Sequence, residues 1–185
     1  MGIKQIYQKI RIAWYKRLSS NKRVEGQCIV QQPVIWNGRG KIVLNDTIIG
    51  WNPSSGFYDG SCYIEAREED STIKIGSSNI NNGFCCIANH GLIEIGDGCL
   101  IGTNVQIINS DFHSINLARR HTGGGKSKDV RIEDNVFIGS NVSIMKGVTV
   151  GYGAVIANGS VVFDDVKPKT IVRGNPAEFY KDIID

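Results

Sequence analysis

Residues 130–163 read VRIEDNVFIGSNVSIMKGVTVGYGAVIANGSVVF, and an aliphatic residue returns at every sixth position: Ile132, Ile138, Ile144, Val150, Ile156 and Val162. Two positions before the last five stand Val136, Val142, Val148, Ala154 and Ser160. Each hexad thus carries a pair of same-side residues followed by a turn. A helix cannot use this period, because six residues turn it through about 600° and successive aliphatics would land about 120° from a common face. Strand geometry, with its period of two, accounts for the pair. Three residues after each aliphatic come Asn135, Asn141, Gly147, Gly153, Gly159 and Asp165, residue types that enter φ > 0 at least cost. One bend per hexad and three bends per circuit close a triangle of about 18 residues, whose circuits stack at about 4.8 Å and satisfy one another's backbone groups.

The same signal appears upstream. Ile95, Ile101 and Ile107 are six apart, with Gly98 and Asn104 in the turn places. Ile75 and Ile87 join the series, with Asn81 between them as a polar exception. Aliphatic–glycine pairs recur at Ile49-Gly50, Ile75-Gly76, Ile95-Gly96, Ile101-Gly102, Ile138-Gly139 and Val150-Gly151. The frame slips near Asn89-His90-Gly91 and breaks between Ile107 and Ile132. Residues 109–129, NSDFHSINLARRHTGGGKSKD, are therefore an excursion from a regular solenoid, and insertions of this kind tend to carry function. The run Gly123-Gly124-Gly125-Lys126-Ser127 resembles the end of a phosphate-binding loop. Arg120 stands where that motif needs glycine, and no strand precedes it or helix pattern follows, so a plain loop is expected.

At 185 residues, 41% apolar, the chain is long enough for one domain with a substantial core. The 22 glycines against 4 prolines point to regular tight turns rather than a linker or collagen. Cys28, Cys62, Cys85, Cys86 and Cys99 are odd in number and include no C-x-x-C pair, so free thiols in a reducing compartment are expected. With no signal-peptide h-region and no apolar run able to cross a bilayer, a cytoplasmic protein is the expectation.

Charge is unevenly spread. Residues 1–23 hold seven basic residues and no acidic one, which leaves 14 basic against 18 acidic residues in the remainder. The basic character belongs to one segment, and nucleic acid is not an expected partner. Residues 2–19 read as an amphipathic helix, with Ile3, Ile6, Tyr7, Ile10, Ala13, Trp14 and Leu18 on one face. Such a helix can cap the open end of the solenoid. It can also attach residues 1–23 peripherally to the anionic inner face of a membrane. The organisation expected is all-β: a basic helical segment 1–24, a parallel β-helix 25–175 interrupted at 109–129, and a tail or short C-terminal helix 176–185.

Residues 130–181, and above all V-T-V-G-x-G-A-V-I-A-x-G-S-V-V followed by G-N-P-A, resemble the hexapeptide-repeat acyltransferases, in particular the sugar O-acetyltransferase branch that includes galactoside, maltose and polysaccharide acetyltransferases. The resemblance covers residues 73–181 well and 34–72 loosely. It implies a left-handed β-helix, a homotrimer with active sites between neighbours, acetyl-CoA as co-substrate and a small-molecule or glycan acceptor. It further implies that His113, in S-D-F-H-S, is the catalytic base. Histidine suits that task, and general base catalysis is worth roughly 10²–10⁴-fold. Asp111 would orient the imidazole or bind a sugar hydroxyl. Asn82 and His90 match acceptor-side positions. On the CoA side the resemblance picks out Phe137, where relatives often carry Trp, together with Ser140 and Asn158. Lys167, Lys169, Arg173 or Lys181 would meet the CoA phosphates. Phe163-Asp164 stands where relatives often carry Thr-Lys, so one phosphate contact is missing from the pattern.

Three other readings compete. An N-acetyltransferase of an amino sugar needs less base assistance. Some β-helix trimers are zinc carbonic anhydrases, but His113 and His121 are separated by seven residues, outside the usual H-x₃₋₅-H spacing, and no metal is expected. A β-helix can also be a non-catalytic scaffold.

Overall fold

The computed structural model describes residues 2–122 and 124–184. Met1, Gly123 and Asp185, which fall in the helical segment, the excursion and the tail delimited above, lie outside the described residues. A helix, α1 (Ile3–Leu18), is followed by strands β1 (Val24–Val30), β2 (Val34–Gly38), β3 (Lys41–Ile49), β4 (Cys62–Ala66), β5 (Thr72–Ile75), β6 (Asn79–Ile80), β7 (Cys85–Ala88), β8 (Leu92–Ile95), β9 (Leu100–Ile101) and β10 (Gln106–Ile108). After the excursion come β11 (Val130–Ile132), β12 (Phe137–Ile138), β13 (Ser143–Ile144), β14 (Thr149–Val150), β15 (Val155–Ile156), β16 (Val161–Val162), β17 (Thr170–Arg173) and β18 (Glu178–Asp182).

From β4 to β13 each strand pairs in parallel with the third strand along rather than the next, so one circuit holds three strands. The long β3 gives its first half to β5 and its second half to β6, bending at Asp46, where φ is 49°. Three faces result: β3-β5-β8-β11-β14, β3-β6-β9-β12-β15-β17, and β2-β4-β7-β10-β13-β16. They are called the first, second and third face below.

The six-residue period now has its physical meaning. Leu44, Ile75, Ile95, Ile132 and Val150 stack in register inside the first face. Ile49, Ile80, Ile101, Ile138, Ile156 and Val172 do so inside the second, and Trp36, Ile64, Cys86, Ile107, Ile144 and Val162 inside the third. All are buried in one continuous core. Burial of each such side chain contributes roughly 1.5–3 kcal/mol. The turn residues Asn135, Asn141, Gly147, Gly153 and Gly159 take positive φ as expected. Asp165 does not, and its carboxylate instead accepts the Thr149 N–H at 2.7 Å.

Apart from Gly50, whose φ is 97°, the glycines of the aliphatic–glycine pairs answer to close approach rather than to φ. A Cβ on Gly139 would lie 2.7 Å from the Asn158 backbone nitrogen, and one on Gly102 would lie 2.6 Å from that of Ser140. The next coil passes too close for any side chain.

Two expectations need correction. Between Ile75 and Ile95 the core residues are Ile80 and Cys86, whereas Asn81 and Ile87 are only partly buried. The corner after Ile75 is one residue shorter than the corner after Ile95, so the register moves by one. The described part of the tail, residues 176–184, is also not helical. Residues 178–182 form β18, antiparallel to β17, with Ile171 opposite Lys181 and Val172 opposite Phe179. The last coil leaves an open strand edge, and pairing satisfies its backbone where a one-turn helix could not.

The other end is closed by residues 19–21. Ser19 Oγ accepts the Trp36 N–H, and the Ser20 and Asn21 N–H groups donate to Trp36 C=O. The edge of β2 is thereby covered, as a capping segment requires. No helix among the described residues is long and apolar enough to cross a membrane.

Candidate active site at the excursion loop

The excursion leaves the third face after β10 and re-enters at the first face. Its root is clamped to the coil below. The buried Asn109 side chain accepts the Asn89 N–H at 2.8 Å and donates to His90 C=O at 2.6 Å. The two arms then approach each other. Lys128 N–H donates to Asn109 C=O at 2.9 Å, Ser110 bridges Ser127, and His113 bridges Gly124. Residues 124–127 of the glycine-rich run thus lie on the return arm of this loop, which leads into strand β11.

Phe112 adopts φ 59°, a conformation uncommon outside glycine and asparagine. Its ring lies 4.7 Å from the Arg67 guanidinium carbon. Arg67 is in turn held at 3.0 Å by both carboxylate oxygens of Glu65, a bidentate arrangement that fixes the guanidinium plane. This contact anchors the backbone immediately before His113 to the third face.

His113 is exposed and lines an open cleft of about 630 Å³ together with Asp111, Phe112, Ser114, Ile115, Arg120, His121 and Met145. The cleft brings together two of the residues singled out from sequence, His113 and Asp111. It also contains His121, which the sequence analysis weighed only as a zinc ligand beside His113. Asp111 does not orient the His113 imidazole: its carboxylate forms an ion pair with Lys146. The bond from His113 to Asp111 is main-chain only, N–H to C=O at 2.7 Å. Lys146, Arg67 and Phe112 were not marked by sequence, because neither the hexad period nor S-D-F-H-S assigns them a contact.

Asn82 is a correction. It is buried, its Oδ1 accepts the Trp51 N–H at 3.0 Å, and its Nδ2 donates to the carbonyls of Trp51, Ser54 and Ser55 at 3.0–3.3 Å. The amide is engaged in holding the 51–55 segment, and Asn82 is not among the residues lining the His113 cleft. His90 sits at the corner below the loop root, exposed, with Nδ1 2.9 Å from an Asp70 carboxylate oxygen and outside the cleft lining.

The CoA-side residues gather elsewhere. Phe137 points outward from the second face, in register with Leu100 below and Val155, Ile171 and Lys181 above. Leu100 and Phe137 join Ile48 and Trp51 in an apolar groove of about 240 Å³. At the next corner the Ser140 N–H donates to Asn158 Oδ1 at 2.9 Å, and Ser140 Oγ accepts the Thr103 N–H at 3.2 Å. Lys181 flanks Tyr180, whose ring lies 3.8 Å from the Arg173 guanidinium carbon. Lys167 is apart from these, beside Asp164, Asp165 and Asp182 at the last coil.

His113 therefore stands at the corner between the third and first faces, and Phe137, Ser140 and Asn158 at the second face and the corner that follows it. One whole face separates the two groups within a single chain. Among the described residues no cluster of three or more His, Cys, Asp or Glu could hold a metal ion.

Comparison with known proteins bears on the family and the fold. Residues 129–164 match the family model described as the hexapeptide repeat of succinyl-transferase. Galactoside O-acetyltransferase from Escherichia coli is 35% identical over 115 residues, 62% of this chain and 56% of that protein. The chain spans about half the length of the curated relatives it matches. Among solved structures, the polysialic acid O-acetyltransferase OatWY superposes with a TM-score of 0.66 at 28% identity, covering 88% of this chain and 75% of that one. A hexapeptide-repeat acetyltransferase from Vibrio cholerae superposes with a TM-score of 0.59 at 28% identity, covering 96% and 82%, and has also been solved in complex with acetyl-CoA. By sequence and by fold the chain is a relative of the hexapeptide-repeat acyltransferases.

Proposed function

We propose that this hexapeptide-repeat protein transfers the acetyl group of acetyl-CoA to a hydroxyl of a sugar or glycan precursor, with His113 as general base, in a site completed by a second copy of the chain in a homotrimer. The observation that carries the reading is the separation just described. The imidazole lies in a cleft at one corner. The apolar row Leu100, Phe137, Val155 and Ile171, which ends at Lys181, lies across the face behind the opposite corner. Threefold packing of prisms brings the leading corner of one protomer against the trailing corner of the next, so each half-site finds its complement on a neighbour.

In this reading the pantetheine arm runs along the corner formed by Ser140 and Asn158, and Lys181 and Arg173 face the phosphates. Lys167 is a weaker candidate for that task, because acidic side chains surround it. The acceptor enters the cleft of the excursion loop. His113 takes the proton of its hydroxyl as the oxygen attacks the thioester carbonyl carbon. Collapse of the tetrahedral intermediate breaks the C–S bond, and the imidazolium returns the proton to the CoA thiolate. No acyl-enzyme is needed. The E. coli and polysialic acid relatives, both O-acetyltransferases by name, and the acetyl-CoA complex of the V. cholerae protein support the choice of donor and acceptor class.

The test is acetyl-CoA consumption against a panel of free, nucleotide-linked and oligomeric sugars, with amino sugars included. A hydroxyl acceptor is expected, with His113→Ala slower by roughly 10²–10⁴-fold. A His113→Ala protein that acetylates a hydroxyl at near wild-type rate would overturn the base assignment. Turnover confined to amine acceptors would replace the O-acetyl reading with an N-acetyl one.

A further inference from the structure

α1 lies on the solenoid the opposite way round from an ordinary surface helix. Its hydrogen bonds to the body come from polar side chains, with Ile12 and Tyr15 half-buried beside them. Gln8, the one buried residue of the helix, donates through Nε2 to the carbonyls of Gln31 and Phe57 at 2.8 and 2.9 Å. Arg11 donates to the carbonyls of Phe57 and Gly60. The apolar stripe faces away: Ile3 is 86% exposed, Ile10 63% and Trp14 59%, with Ile6 and Leu18 exposed beside them. An apolar stripe that a helix turns outward while its polar side is bonded down is not a folding element of this chain.

The charge around the stripe says what covers it. On the helical wheel Lys9 and Lys16 border one edge, Lys4 and Arg11 border the other, and Arg17 lies within the exposed face. None of the seven basic side chains between Lys4 and Arg23 pairs with a carboxylate among the described residues. An apolar strip about 24 Å long, edged on both sides by cations without a carboxylate partner and carrying a Trp, matches a surface that is anionic at the edges and apolar just beneath.

We propose that α1 is a peripheral membrane anchor, which inserts Ile3, Ile6, Ile10 and Trp14 into the headgroup–acyl boundary of an anionic bilayer while Lys4, Lys9, Lys16 and Arg17 meet the lipid phosphates. Gln8 and Arg11 hold the helix to the body, so the solenoid is docked rigidly rather than tethered.

The test is co-sedimentation of the full chain with vesicles of phosphatidylcholine containing phosphatidylglycerol, and with phosphatidylcholine alone. Binding is expected to the anionic vesicles and to weaken as salt is raised. Ile10→Ser/Trp14→Ser and Lys9→Glu/Lys16→Glu should each weaken it about tenfold or more. These side chains are exposed, so circular dichroism should report an unchanged fold. A wild-type chain that stays in solution with anionic vesicles overturns the proposal, as do variants that bind like wild type. If the wild type ignores vesicles and Ile10→Ser/Trp14→Ser lowers the mass in sedimentation velocity, the face belongs to a second copy of the chain. Acetyl transfer is not read in any arm, so this test and the test of the proposed activity fail independently.

Discussion

Asp111 and Lys146, thirty-five residues apart, form an ion pair that ties the root of the excursion loop to the coil above it. Both side chains are about a quarter exposed. The pair leaves the His113 imidazole without a carboxylate partner from Asp111 and makes loop position depend on a lysine to which the hexad period assigns no contact.

Lys146→Met is therefore expected to loosen the loop without touching the imidazole. It should lower kcat/KM about tenfold, through misplacement of His113, and cost about 1 kcal/mol of stability for the stranded carboxylate. Steady-state kinetics and urea unfolding check both. Lys146→Arg should recover most of the loss, and an unchanged kcat/KM in Lys146→Met would remove the positioning role.

Asn82→Ala should behave as a structural lesion. Four hydrogen bonds to the 51–55 backbone vanish and leave buried polar groups unpaired, at a cost of about 2–4 kcal/mol. Urea unfolding should show this loss, with acceptor KM in the folded fraction unchanged. A raised acceptor KM at undiminished stability would restore Asn82 to the acceptor site.

Buried thiols set a limit on stability at high pH. Burial pushes Cys62 up to about 12, and it raises Cys86 further above the ordinary 9.0. The folded state keeps these protons where the unfolded chain releases them. Stability from this source is full below about pH 9 and falls as pH rises above it, by about 1.4 kcal/mol per pH unit per thiol. Urea midpoints at about pH 8 and about pH 10 should show a decline that is shallower in Cys86→Ala than in the wild type. Equal declines would rule out the thiol as its source.

In the proposed homotrimer, the outward row through Leu100 and Phe137 lies at the contact between copies. Both side chains are about half exposed in the single chain, so Leu100→Asp/Phe137→Asp should fold normally by circular dichroism. The pair should lower the sedimenting mass from trimer to monomer and abolish acetyl transfer. An intact trimer with this double substitution would place the contact elsewhere.

The coil itself was open to reading in one dimension. A period of six with same-side pairs excludes a helix on geometry alone, and the three stacked columns of core residues follow from it. The break at 109–129 marked the loop of the candidate site for the same reason, since a regular repeat makes an irregularity visible. Slips of one residue were not visible: a corner shortened after Ile75 exchanges Ile87 for Cys86 in the core, and both are apolar enough to serve. The C-terminal strand was missed because its sequence, EFYKD, carries no clear alternation. Its pairing is dictated by the unsatisfied edge of β17.

The site divided along the same line. Sequence could nominate His113, Asp111, Phe137, Ser140, Asn158 and Lys181, because a motif preserves residue type and spacing. It could not say that Asn82 spends its amide on Trp51, Ser54 and Ser55, that Asp111 faces Lys146, that Glu65 and Arg67 hold Phe112, or that α1 lies with its apolar stripe outward. Each of these depends on which groups meet after the coil closes, between residues twenty to fifty positions apart, and periodicity carries no information about such meetings. Repetition in the chain determined the solenoid and its interruption, and stacking of distant coils decided which side chains were left free to act.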